Sequence, residues 1–162
     1  MIVSNTTPIS NLLHLQLLGL FGKLFAKVMI PQAVYDEVNA FWKHDVLWQK
    51  CIYDGVLNVM PVANSLLIQQ LKLNLHLGEA EVIALALEQK ADLCLIDDRD
   101  GRSIAESNGL VISGTIGFLI KAKQRNYIPN IAPLLDALRN DFHFWISDDV
   151  YMAAVKLAGE SF

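Results

Sequence analysis

Residues 76–100, HLGEAEVIALALEQKADLCLIDDRD, contain the hand-over that fixes the class of fold. The VIALAL segment is apolar nearly all round, which predicts a helix packed on more than one side rather than one with a broad wet face. Directly after it, LCLI is a short continuous apolar run that stops at two aspartates. That pattern predicts a strand buried on both faces, as in a parallel sheet.

The same alternation extends in both directions. MIV opens the chain as a strand and SNTTP is its turn, with Thr6 or Thr7 as N-cap and Pro8 in the first turn of a helix that runs on to Gly19 and Gly22. AKVMIP is a second strand, followed by a helix from Pro31; residues 43–55 form a short helix or loop. GVLNVMP and ANSLLIQQLKLN are the next strand and helix. Beyond the opening stretch come the helix GRSIAESNG with Asp100 as its cap, the strand LVISG and the helix TIGFLIKAKQRN. The remainder predicts a helix at 131–140, an extended piece at 142–146, and a final helix capped by Ser147 with Asp148 and Asp149 in its first turn. Strands alternating with helices predict a three-layer α/β/α fold around a mainly parallel sheet of four to five strands.

At 162 residues and 53% apolar, the chain is expected to build one core and one domain over 1–162. Thirteen basic against 17 acidic residues give a net charge of −4, which argues against gripping nucleic acid by bulk electrostatics but allows contact with a phosphodiester through bound cations. The 19% charged content, with three Trp, seven Phe and four Tyr, points to apolar surface covered by a partner subunit. Cys94 reads as a buried thiol, and no basic leader or apolar run near the roughly 20 residues of a membrane span is visible. A cytoplasmic protein with no membrane partner is expected.

In a parallel sheet, ligands sit beyond the carboxyl ends of the strands. Asn5 follows the first strand, Glu37 lies in the helix after the second, Asp97 and Asp98 follow the fourth, and Thr115 follows the fifth. A helix from Glu79 travels back about 18 Å at about 1.5 Å per residue. The strand ending at Asp97 returns about 15 Å, so Glu79 and Asp97 are expected at one edge. Three or four carboxylates there would repel one another unless a cation neutralised them. All-oxygen ligands suit Mg²⁺ or Mn²⁺, and such ions suit phosphodiester hydrolysis by water. Glu81 falls off that face, Arg102 would meet the acids or a phosphate, and Thr115 would cap its helix or orient a water. His14, His44, His76 and His143 lack ligand spacing, and KAKQR at 121–125 reads as a solvated helix face.

SNTTPISNL at 4–12, IPQAVYDEV at 30–38, LGEAEVIALAL at 77–87, LIDDRDGRSIAESNGL at 95–110 and SGTIGFLIKAKQRNYIP at 113–129 together resemble the PIN-domain nucleases, in a prokaryotic branch related to VapC-type toxins. The resemblance implies a metal-dependent endoribonuclease acting on RNA, with Glu37, Glu79, Asp97 and Asp98 as catalytic residues that, with Asn5, hold Mg²⁺ or Mn²⁺. It also implies a toxin-antitoxin role, an antitoxin partner and a homodimer. The chain departs from the pattern at Asn5, where relatives carry aspartate. An Asn carbonyl can ligate a hard cation but brings no charge, so activity below that of relatives is expected. The competing expectation is a PIN-like protein without chemistry that works as a protein or RNA interaction module.

Overall fold

The computed structural model describes residues 1–161. Five short strands, β1 (Ile2–Ser4), β2 (Val28–Ile30), β3 (Leu57–Val59), β4 (Leu93–Leu95) and β5 (Ile112–Ser113), form one sheet in the order β3-β2-β1-β4-β5. Every pairing is parallel, with Val3 beside both Met29 and Cys94. Parallel neighbours need a crossover, and helices supply it on both faces, giving the expected α/β/α layers.

The helices are α1 (Thr6–His14), α2 (Leu20–Phe25), α3 (Gln32–Trp42), α4 (Val46–Tyr53), α5 (Ser65–Leu71), α6 (Leu77–Glu88), α7 (Arg99–Ser107), α8 (Thr115–Gln124), α9 (Ala132–Asn140) and α10 (Asp148–Leu157). Helix α6 packs against α3, α5, β1 and β4. That position explains its all-round apolar sequence, and Val82 to Ala86 are completely buried. The core continues through Val3, Ile9, Leu12, Phe21, Ile30, Trp48 and Leu119.

Four local expectations are corrected. The first helix does not run through to Gly22; the chain breaks after His14, with Gln16 left-handed at φ 58°, and restarts as α2. Gly22 sits inside α2, where a Cβ would lie 3.2 Å from Val56 Cγ2, so it serves close helix packing instead of a stop. Asn5 caps α1, not Thr6 or Thr7, and Asp98 caps α7, not Asp100. Among the described residues, 142–146 pairs with no strand, and no helix is long and apolar enough to cross a membrane.

Candidate functional site

The strand order turns back on itself between β1 and β4, and in parallel sheets that reversal opens a crevice beyond the strand ends. Asn5 stands there. Its N–H donates to the Leu95 carbonyl at 2.9 Å, tying the end of β1 to β4, and its side-chain Oδ1 accepts from the Thr6 N–H at 2.8 Å. Buried as it is, Asn5 is occupied as a cap.

Each of the other candidate residues also has hydrogen-bond donors of its own. Asp97 takes the Thr115 N–H at 2.7 Å and the Thr115 hydroxyl at 2.6 Å, and Asn11 Nδ2 donates to that hydroxyl at 3.1 Å. Asp98 accepts from the Gly101 N–H at 2.8 Å. Glu79 accepts from the His76 N–H at 3.1 Å, and Glu37 accepts from the Thr6 hydroxyl and lies where a side chain on residue 78 would stand. Glu79 and Asp98 come within side-chain reach of each other. Asp97 and Glu37 are met by different neighbours: Gly114, Thr115 and Arg102 around the first, Thr6 and Gly78 around the second.

Burial pushes the Asp97 carboxyl above its usual range, against the two Thr115 bonds and the Arg102 charge, which pull it down. Burial likewise raises Glu79; the His76 N–H opposes this and the Asp98 charge adds to it. Among the described residues Arg102 has no salt-bridge partner; its Nη1 donates to the Ile96 carbonyl at 2.9 Å. Glu81 pins α3, accepting from the Ala33 N–H at 3.0 Å.

Beside these acids opens a cleft of about 720 Å³, walled by Asp97, Asp98, Arg99, Arg102, Phe144 and Trp145. Trp145 is 83% exposed.

The family described as DUF3368: PIN domain matches residues 1–160. This chain belongs to the PIN-domain family. No curated protein and no solved structure matches it. Among the described residues of this PIN domain, no group of three or more His, Cys, Asp or Glu side chains could hold a metal ion. That overturns the expected Mg²⁺ or Mn²⁺ site at Asn5, Glu37, Glu79, Asp97 and Asp98, and with it the metal-dependent ribonuclease reading. The topology carries the acids to one end of the sheet, as the helix and strand lengths require. Hydrogen bonding then divides them among Thr6, His76, Gly101 and Thr115 instead of a shared ion.

Sequence reasoning missed Arg99, Phe144 and Trp145 in this PIN domain. The available signal was FHFW at 142–145, separated from the Ser147 cap by Ile146 alone. Two adjacent aromatics in an extended piece cannot both face a core, and it is Trp145 that turns outward.

Proposed function

We propose that this PIN-domain protein works by binding, without metal-dependent cleavage, and that its cleft beyond β4 and β5 takes single-stranded RNA. The carrying observation is Trp145, 83% exposed on a cleft wall that also presents Arg99 and Arg102. A large aromatic left in water beside two guanidinium groups suits a stacked base with its phosphate alongside, an arrangement that is tolerant of sequence. Asp97, held by Thr115, and Asp98, held by the start of α7, shape the floor and limit non-specific attraction of polyanions. The finer placement beside VapC-type toxins, with an antitoxin partner, rests on the quoted motifs; the family match stops at the PIN domain.

Fluorescence anisotropy of a labelled single-stranded RNA in EDTA tests this. Binding is expected, weakened about tenfold or more by Trp145→Ala, since stacking of one base contributes about 1–3 kcal/mol. Arg99→Ala should flatten the salt dependence. Binding that ignores both substitutions, or no binding at all, would overturn the reading.

A further inference from the structure

Acidic residues are absent from two long stretches of the chain, 1–35 and 107–135, which between them carry Lys23, Lys27, Lys121, Lys123 and Arg125. The fold brings these stretches together. Phe21 and Phe25 of α2 pack on Phe118 of α8, with ring centroids 5.2 and 5.7 Å away. Across the same seam Lys121 Nζ lies 5.1 Å from the centre of the Phe25 ring, and Lys23 Nζ lies 5.5 Å from that of Tyr127. Ala26 then makes a tight γ-turn, φ 63° and ψ −60°, closed by the Lys27 N–H on the Phe25 carbonyl at 2.8 Å. Such a turn is strained for a residue with a Cβ, and it lets Phe25 face the seam while Lys27 stays in water.

Among the described residues Lys23, Lys27, Lys121 and Arg125 have no ion-pair partner. Asp54, before β3, is taken by Lys50; Asp92, before β4, by the Met1 amino group; and Glu160 by Lys123. Unneutralised cations are thus gathered at the end of the sheet opposite the cleft, where β2 begins and α8 ends.

We propose that this seam is a second RNA contact, gripping the phosphate backbone of a strand whose other part lies in the cleft. Helix α8 joins the two places: Gly117 in its first turn lines the cleft, and its ten residues span about 15 Å to Arg125 at its end. The chemistry favours a row of phosphates over a protein partner. A protein interface needs a dry apolar centre, whereas every large apolar side chain of α2 and α8 is buried or half-buried, so the seam presents mainly cations. Lysine and arginine release counterions from any RNA sequence alike, which suits a backbone contact beside a stacking site. The net charge of −4 repels RNA from the rest of the surface, so the acid-free seam also sets the direction in which the strand leaves the cleft. Naming RNA rests on the reading of the cleft; placing an anion contact at the seam does not.

Anisotropy with single-stranded RNAs of about 4 and about 16 nucleotides, the span of single-strand site sizes, separates the two contacts. Lys27→Gln combined with Arg125→Gln leaves both lysine–ring contacts in place, and urea midpoints check that the fold is kept. The short RNA, held in the cleft, is expected to bind this variant as it binds the parent chain. The long RNA should bind the parent chain more tightly than the short one does. With the variant its salt slope should fall by about 0.7 for each cation removed, while Arg125→Lys keeps the slope. A long RNA indifferent to the double substitution overturns the seam contact and leaves the cleft reading standing. Sensitivity to the double substitution without sensitivity to Trp145→Ala supports the seam and removes the cleft. Polyglutamate held at the seam as tightly as RNA of equal charge would assign the surface to an acidic protein and overturn the proposal.

Discussion

The Asp97 carboxylate receives both hydrogens that Thr115 can offer, its N–H at 2.7 Å and its hydroxyl at 2.6 Å. These bonds span the end of β4 and the first turn of α8, and Asn11 on α1 donates to the same hydroxyl at 3.1 Å. Three elements are thus held by one buried threonine. Thr115→Val keeps the shape and the N–H but strips the hydroxyl, leaving a desolvated carboxylate with one donor fewer. A loss of about 1.5–3 kcal/mol in unfolding free energy is expected from urea titration, and Thr115→Ser should recover most of it.

Gly114 precedes that threonine, and a Cβ there would collide with Asp97 Oδ1 while approaching Arg102 Nη1 to 3.2 Å. Its φ of −148° is ordinary extended backbone, so the demand for glycine is one of space alone. Gly114→Ala should therefore cost about 1–3 kcal/mol by overpacking, measured as a lower urea midpoint at unchanged slope. Combining it with Asp97→Ala, which removes the obstructing oxygen, should give a double variant less destabilised than the sum of the two.

Glu79 supplies a pH dependence with a definite sign. Burial raises its carboxyl in the folded chain, so the folded state holds the proton more tightly than the unfolded one. The stability this contributes is complete below the usual carboxylate range and is lost as pH rises through the elevated value. Glu79→Gln keeps an acceptor for the His76 N–H and carries no charge to desolvate. Relative to the parent chain, the variant should gain stability on going from acid to neutral pH, read from urea midpoints at the two ends. An advantage that does not grow with pH would count against the buried charge as the cause.

Metal titration tests the absence of a shared ion site among the described residues. An ion present at a hundred times its dissociation constant adds about 2.7 kcal/mol of stability. Millimolar Mn²⁺ or Mg²⁺ is expected to leave the melting temperature where EDTA leaves it, and single-stranded RNA is expected to stay full length. A melting temperature that climbs with the logarithm of Mn²⁺ concentration would reverse the correction.

Much of the fold was legible because its signals are local. VIALAL without a wet face, LCLI ending at aspartates, and Pro31 before an amphipathic run each reflect what a few consecutive residues can bury or hydrogen-bond. The break at Gln16 was not legible, since it depends on α1 and α2 packing separately, and Gly22 looked like a stop because Val56 is distant in sequence. Caps were displaced by one or two residues for a similar reason. Asn5, Thr6 and Thr7 are all good caps, and the edge of β4 selects the one whose N–H can reach the Leu95 carbonyl.

The sequence by itself determined the α/β alternation, the parallel sheet and the end of that sheet to which the acids travel, because helix and strand rises convert residue counts directly into distance. Only the tertiary structure decided what those acids do there. A carboxylate answers to the donors that surround it: Thr6 and Thr115 reach Glu37 and Asp97 from distant parts of the chain, while His76 and Gly101 meet Glu79 and Asp98 within the caps of their own helices. Residue type gives the capacity to bind a cation; the tertiary arrangement decides whether three such groups meet, and among the described residues they do not.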